Sequence, residues 1–169
     1  MAKKLLKLLV ASLLFLVSSI VFGEKPCISP FNDLSDQDIR DWDLAGKCFS
    51  ETNLNGTKLI EADLQRANFW NARLMGAKLS QADLTEANLT EAFLYGADIQ
   101  EAVLVGAVLK NTNLWAVNLS NSDLRGADLS KANLSGANLS GANLLGAKLL
   151  RANLSGASLS GANLSLANL

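Results

Sequence analysis

Residues 77–101 read AKLSQ-ADLTE-ANLTE-AFLYG-ADIQE, a pattern that repeats every five residues. The same phase holds from position 44 to position 169, where every fifth residue is Leu except Phe49, Phe69 and Ile99. Ala usually stands two residues before each of these 26 central residues, Asn or Asp stands directly before it, and Gly is common two residues after it. An uninterrupted repeat of this kind predicts a solenoid, in which each unit packs on its neighbours.

A period of five fits neither regular element. On an α-helix, successive central residues would be turned by about 500° and would cover the whole surface, and on a flat strand an odd period would alternate them between the two faces. The pattern is satisfied if each repeat is a short extended piece followed by a bend. Numbered from the central residue, positions −2 and 0 then face inward, and positions −1 and +1 face outward. Gly or a small polar residue at position +2 takes the corner.

This pattern, from Trp42 to Leu169, resembles the pentapeptide repeat family. The resemblance implies an all-β fold, a right-handed quadrilateral β-helix with four pentapeptides per coil and about six coils in residues 42–169. Residues 24–41 are predicted to form a lead-in and an atypical first coil, because larger residues replace the small one at position −2. One of these, Trp42, is expected to cover the open end of the core.

Residues 1–23 are predicted to be a signal peptide. They combine a lysine-rich start with an apolar run over Leu8–Phe22, and the chain turns polar at Glu24. The run is short for a membrane span, which needs about 20 residues. We therefore predict export to the periplasm or the extracellular space, or to the thylakoid lumen if the source is a cyanobacterium, with no membrane attachment after cleavage. Retention of the run as an uncleaved anchor stays open.

The two cysteines, Cys27 and Cys48, are 21 residues apart. On adjacent coils of a square solenoid their Cα atoms would lie at roughly disulfide distance. Because two cysteines in an exported protein usually pair, a disulfide between them is predicted. Two free thiols are the alternative.

Composition argues against an enzyme. The chain contains no His, which removes the commonest general base and a common zinc ligand. Residues 24–169 hold 12 basic and 16 acidic groups, a net charge of −4, and no basic patch indicates nucleic-acid binding. No catalytic, cofactor-binding or metal-binding residue is predicted.

An aspartate ladder is the strongest candidate for other chemistry. Asp43, Asp63 and Asp83 occupy position −1 at steps of twenty, so they would stack about 4.8 Å apart in a square coil. Stacked carboxylates repel, and a cation could bridge them. Alternatively, Lys58 and Lys78 on the neighbouring face screen the charges.

Large apolar residues recur at outward positions of one face. At steps of twenty, position +1 reads Asn55, Met75, Tyr95, Trp115, Ser135. Because contiguous exposed apolar patches often mark interaction sites, a protein-binding patch is predicted. It consists of Trp70, Met75, Phe93, Tyr95 and Trp115. Alternatively, the stacked rings brace the coils, as cross-strand pairs do in sheets.

These observations favour an exported, non-enzymatic scaffold that binds an unidentified protein. A structural rod that self-associates as a weak homodimer through its C-terminal coil is the alternative from a different class. Some members of the family that the chain resembles are acidic rods that mimic DNA and bind DNA gyrase. The export signal and the small net charge oppose that role here, and a cation-binding protein is the remaining alternative.

Overall fold

The computed structural model of the protein describes residues 27–169. The predicted signal peptide and residues 24–26 of the lead-in lie outside the described residues. Within residues 27–169 there is no helix and no continuous strand, because the chain consists of tight turns joined by single-residue parallel bridges. These bridges run from Asp33–Asn53 to Lys148–Asn168 and always join residues twenty positions apart. The described part of the chain accordingly contains no apolar helix long enough to cross a membrane.

The coils are joined by backbone hydrogen bonds from three of the five residues in a repeat. In the repeat centred on Leu84, the N–H of Asp83 donates to the carbonyl of Ala62 in the preceding coil at 3.0 Å. The N–H of Leu84 donates to the carbonyl of Val103 in the following coil at 2.7 Å, and the N–H of Glu86 donates into the following coil at 2.9 Å. Each coil is therefore held to both of its neighbours.

The fourth N–H of the repeat closes the corner. The N–H of Ala87 donates to the carbonyl of Leu84 at 3.0 Å, and Glu86, the third residue of this turn, has φ of 58°. A positive φ at the third position alone defines a type II turn, which favours Gly there. Fifteen non-glycine residues nevertheless adopt a positive φ at position +2, and five of them are Glu. The prediction that Gly or a small polar residue takes position +2 was therefore too restrictive. The bonds between coils impose the same turn on residues with long side chains, which extend into solvent.

The fifth N–H explains why Asn and Asp precede the central residue. The N–H of Thr85, at position +1, donates to Oδ1 of Asp83, at position −1, at 2.9 Å. This is the Asx geometry in which a short side chain satisfies the backbone two residues ahead. The same bond forms from Asn68, Asn88, Asn113, Asn118, Asp123, Asn133 and Asn143.

The core is a continuous column of central residues flanked by small side chains. Every central residue from Leu34 to Leu149 is at most 4 % exposed, and the Ala residues at position −2 are buried beside them. Inward polar residues are hydrogen-bonded. Thr57 Oγ1 donates to the carbonyl of Leu34 at 2.9 Å, and Ser122 Oγ donates to the carbonyl of Leu119 at 2.6 Å. Across residues 27–169, no buried side-chain nitrogen or oxygen lacks a partner.

The N-terminal end of the core is covered by aromatic rings. Trp42 is half-buried and packs against the core, but the ring that lies over the column is Phe31, which stacks on Phe49 with centroids 6.1 Å apart. Phe49 stacks in turn on Phe69 at 5.1 Å, and Trp42 contacts Phe31 at 5.9 Å. The cover is therefore a pair of rings rather than Trp42 alone.

Candidate protein-binding face

Four large apolar side chains lie in register on one face of the solenoid. Met75, Tyr95 and Trp115 occupy position +1 of three successive coils, and Phe93 occupies position −1 of the middle one. We call these four residues the aromatic face. Buried leucines at each centre fix the backbone beneath them, and the N–H of Met75 is held by Oδ1 of Asn55 at 2.9 Å.

The aromatic face is open to solvent. Met75, Phe93 and Tyr95 are each 42 % exposed, and Trp115 is 46 % exposed. The rings of Tyr95 and Trp115 stack with centroids 4.4 Å apart and an interplanar angle of 11°. The two rings therefore contact each other between adjacent coils, as cross-strand pairs do in a sheet. Trp70, the fifth predicted residue, lies half-buried on the neighbouring face.

One edge of the aromatic face is bare backbone. The corner that follows it is formed by residues no larger than Ala, and a Cβ atom added at Gly76 or Gly96 would meet no heavy atom within 4 Å. The corner therefore adds no side chain larger than Ala beside Met75 and Tyr95. The corner residues in question are Gly56, Gly76, Gly96, Ala116 and Gly136.

The N-terminal side of the aromatic face has a polar border. A shallow depression of about 680 Å³ lies there, and Met75 and Phe93 form part of its wall. Arg73 also lines it, is exposed, and forms no ion pair with any other residue in the described range. A cation beside an apolar centre is the arrangement of an interface with a polar rim. The remaining lining residues are Asn32, Glu51, Asn53 and Asn71.

A disulfide joins Cys27 to Cys48 at the N-terminal end, with Cα atoms 6.0 Å apart. It ties the lead-in across the first coil, next to Ser29, whose hydroxyl lies 2.8 Å from that of Thr52. A second depression, of about 400 Å³, lies beside the bond. Since both cysteines are oxidised to one bond, neither is available as a nucleophile.

Two members of the aspartate ladder have side-chain partners within the chain. Asp43 pairs with Lys47 at 3.3 Å, and Asp83 accepts hydrogen bonds from Gln65 and Thr85 at 2.8 and 2.6 Å. Gln65 and Thr85 belong to the same face as Asp83, and Lys47 opens the repeat that follows Asp43. The sequence had instead suggested screening by Lys58 and Lys78 of the neighbouring face. Within residues 27–169, no group of three or more acidic or Cys side chains is arranged to hold a metal ion.

Asp123, which lies in register with the ladder two coils beyond Asp83, has its own cation. The Arg125 side chain donates to the Asp123 carboxylate at 2.8 and 2.9 Å. This hydrogen bond lowers the pKa of Asp123 below its ordinary value, against the smaller opposing effect of burial. The Asp123 carboxylate therefore stays charged and is already occupied by a protein cation.

The sequence did not single out two features at outward positions. Arg73 was not recognised as a border of the aromatic face, although position −1 usually carries Asn or Asp and a cation there departs from the repeat. The cations and leucines of the C-terminal third were also overlooked, although no acidic residue follows Asp128. In both cases the available signal was a departure from the consensus at an outward position.

The repeat sequence matches that of pentapeptide repeats, in eight copies over residues 48–81, 77–115, 102–141 and 132–169. The chain belongs to the pentapeptide repeat family, which confirms the resemblance seen in the sequence. Proteins of this family fold as right-handed quadrilateral β-helices and are generally non-enzymatic structural or interaction proteins.

Solved structures of the same family resemble the chain. The pentapeptide repeat protein Rfr23 from the cyanobacterium Cyanothece 51142 is 38 % identical over 60 % of this chain and 58 % of its own, with a TM-score of 0.41. A pentapeptide repeat protein from the Arabidopsis thaliana thylakoid lumen is 29 % identical over 76 % of this chain and 65 % of its own, with a TM-score of 0.42. The chain thus spans less than two thirds of the length of these two proteins.

A third solved structure supports the fold alone. QnrB1, a plasmid-mediated fluoroquinolone resistance protein, is 17 % identical over 82 % of this chain and 92 % of its own, with a TM-score of 0.51. No curated protein matches the chain.

Proposed function

We propose that this protein is an exported, non-enzymatic scaffold that binds a partner protein through the aromatic face. One observation carries the proposal: four large apolar side chains lie in register on one face, and each of them is 42–46 % exposed. Tyr and Trp are enriched among the residues that contribute most to protein interfaces, and exposed clusters of them are uncommon on monomers.

The partner is proposed to present an apolar segment and a carboxylate. The apolar segment would cover Tyr95 and Trp115, approaching over the bare glycine edge. The carboxylate would reach Arg73, the exposed cation at the polar border. Because a guanidinium binds a carboxylate in two parallel hydrogen bonds, Arg73 would fix the orientation of the partner.

Replacing Tyr95 and Trp115 together with Ser tests this proposal. We expect the recovery of a partner from the exported fraction of the host to fall at least tenfold, because each ring contributes on the order of 1.4 kcal/mol or more to binding. The melting temperature should change little. The measurement is a quantitative pull-down with wild-type and variant protein, followed by thermal unfolding of both.

The matched control for that experiment is Val103→Ser with Val108→Ser. These two residues are outward and half-buried on two other faces, so the control also removes apolar surface but leaves the aromatic face intact. The proposal fails if wild type and the Tyr95/Trp115 variant recover the partner equally and the melting temperature of the variant falls strongly. That result would show that the rings only brace the coils.

The proposed organisation of the chain is a signal peptide over 1–23, a lead-in over 24–41 and a solenoid of about six coils over 42–169. Export is supported by the lysine-rich start and by Leu8–Phe22. The Cys27–Cys48 disulfide agrees with it, since disulfides persist in oxidising compartments such as the periplasm, the extracellular space or the thylakoid lumen. Self-association through the C-terminal coil stays a prediction.

Export predicts a new N-terminus close to Glu24. Signal peptidases remove the basic and apolar segments, so the intact mass of protein isolated from the host should lack residues 1–23. Mass spectrometry before and after inhibition of secretion measures this difference. Recovery of protein that retains Met1 from the cytoplasm alone would contradict export.

A further inference from the structure

A second surface of the solenoid combines cations with exposed leucines. It is the face centred on Leu129 and Leu149, together with the corners on either side of it. Elsewhere in this third of the chain the outward positions carry mainly Asn, Ser and Gly. We call this surface the basic face, and it consists of Lys131, Leu145, Lys148, Leu150, Arg151 and Leu166.

The register of the coils brings these six residues together. Lys131 and Arg151 occupy the same corner twenty residues apart, with φ of 60° each. Lys148 and Leu150 are the two outward residues of the repeat that ends at Arg151, and Lys148 is bridged to Asn168 in the next coil. On the other corner, Leu166 lies one coil beyond Gly146, which directly follows Leu145.

The leucines of the basic face are exposed. Leu145 is 36 % exposed, Leu150 is 51 % exposed and Leu166 is 87 % exposed. Leu166 also has φ of 59° at a corner where most neighbouring coils carry Gly. A Leu in the left-handed region is uncommon, and this one is directed to solvent rather than to the core. None of these three side chains belongs to the buried core or to the partly buried residues packed against it.

The cations of the basic face are free to bind an anion. Lys131, Lys148 and Arg151 are exposed, and none of them forms an ion pair within residues 27–169. By contrast, Lys110, one coil closer to the N-terminus, is paired with Asp128 at 3.3 Å.

Charge along the solenoid is strongly asymmetric. Residues 27–128 hold 15 acidic and 8 basic side chains, a net charge of −7, whereas residues 129–169 hold 3 basic and no acidic side chains, a net charge of +3. An anionic surface therefore attracts the C-terminal third and repels the rest of the rod. This field would orient the molecule before any contact forms.

We propose that the basic face binds an anionic lipid surface. Cations interspersed with leucines on a surface that needs no pocket match the headgroup and acyl boundary of a bilayer, where Lys and Arg meet phosphates and leucines enter the interface. The two depressions described above are lined by residues within 27–93 and lie away from this face. A protein partner would instead require complementary pockets for its anchoring residues.

Binding to the lipid would leave the aromatic face accessible. The basic face and the aromatic face lie on adjacent sides of the square coil, and the aromatic face belongs to coils nearer the acidic end. A solenoid seated by its C-terminal third therefore directs Tyr95 and Trp115 along the membrane or away from it. The two surfaces can be occupied at once.

Vesicle co-sedimentation tests the proposal. The protein used begins at the N-terminus that mass spectrometry finds for protein isolated from the host. We expect Lys148→Gln with Arg151→Gln to lower partitioning onto phosphatidylcholine vesicles that contain phosphatidylglycerol by about 25-fold, about fivefold for each charge. Leu145→Ser with Leu150→Ser should also lower partitioning, and wild-type binding should fall at high ionic strength. Circular dichroism of each variant should match wild type.

Lys58→Gln with Lys78→Gln is the matched control, because it removes two exposed cations from another face. It should lower partitioning less than twofold. The proposal is overturned if Lys58→Gln with Lys78→Gln reduces binding as much as Lys148→Gln with Arg151→Gln. It is also overturned if wild type binds vesicles of pure phosphatidylcholine as strongly as it binds the anionic vesicles. Binding of polyglutamate at this face without any binding to anionic vesicles would assign the face to an acidic protein and would also overturn the lipid proposal.

Discussion

Replacing Leu104 with Asp is expected to unfold the solenoid at room temperature. Leu104 is 0 % exposed and lies in the middle of the central column. Loss of a buried leucine side chain costs about 2–5 kcal/mol, and a carboxyl group without a partner in the core adds several more. The sum approaches the whole stability of a typical domain, about 5–15 kcal/mol. Circular dichroism and urea denaturation at neutral pH measure the result.

Val105→Asp is the matched control for that substitution. Val105 is the next residue, but it faces outward and is half-buried, and in the following coil the same position is occupied by Arg125. The change should therefore cost about 1 kcal/mol or less. Cooperative unfolding of the Leu104→Asp protein at the wild-type urea concentration would show that position 104 does not face the core.

Removal of the disulfide is expected to lower the free energy of unfolding by about 3 kcal/mol. The bond joins residues 21 apart, and cross-linking a loop of that length reduces the entropy of the unfolded chain by about this amount. The loss should also release the lead-in, so that Phe31 leaves the end of the core. Urea denaturation of wild type and of Cys27→Ser with Cys48→Ser, each with and without reductant, measures the difference.

The control for the disulfide is Ser29→Ala. It removes the Ser29 hydroxyl, which donates to the carbonyl of Phe31 at 3.0 Å, but it keeps the covalent bond. The expected cost is about 1 kcal/mol, and the sensitivity to reductant should be retained. If wild type unfolds at the same urea concentration with and without reductant, the bond makes no contribution to stability.

The inward half of the fold was predictable from the sequence. Leu104 and Ala102 were assigned to the core because positions 0 and −2 share the inward side when each repeat is a short extended piece followed by a bend. The structure places both inside. The family match confirms the fold class, since residues 48–169 carry the repeats.

The outward half was less predictable because it is not periodic. The sequence identified Tyr95 and Trp115 as a ladder, and their rings do stack. It missed Phe31, which precedes the regular repeat and so has no phase from which its position over Phe49 could be inferred. It also missed Lys148 of the proposed basic face, which stands out because no acidic residue follows Asp128 rather than through any motif.

The corners show why local propensity alone was insufficient. Glu86 and Leu166 are poor candidates for a positive φ, yet both adopt it. At Glu86 the turn is fixed by its own N–H, which donates into the following coil, and by the N–H of Ala87, which donates to Leu84. At Leu166 the turn is closed by the N–H of Ala167, which donates to Leu164. The sequence showed frequent Asn and Asp at position −1, but it did not predict the Asx bond that explains them.

The pairing of residues twenty positions apart gives the chain two distinct units of length. Removing five residues, such as 97–101, would preserve the alternation of Ala and Leu and hence the core. However, it would turn every later side chain by one side of the square, so that Trp115 would no longer stack on Tyr95. Removing or inserting twenty residues would shorten or lengthen the rod but return each later residue to its original side. Duplication within such a protein can therefore change the length of the rod and keep its surfaces only in steps of a full coil. Gain or loss of a single repeat leaves the core unchanged but rearranges the surface.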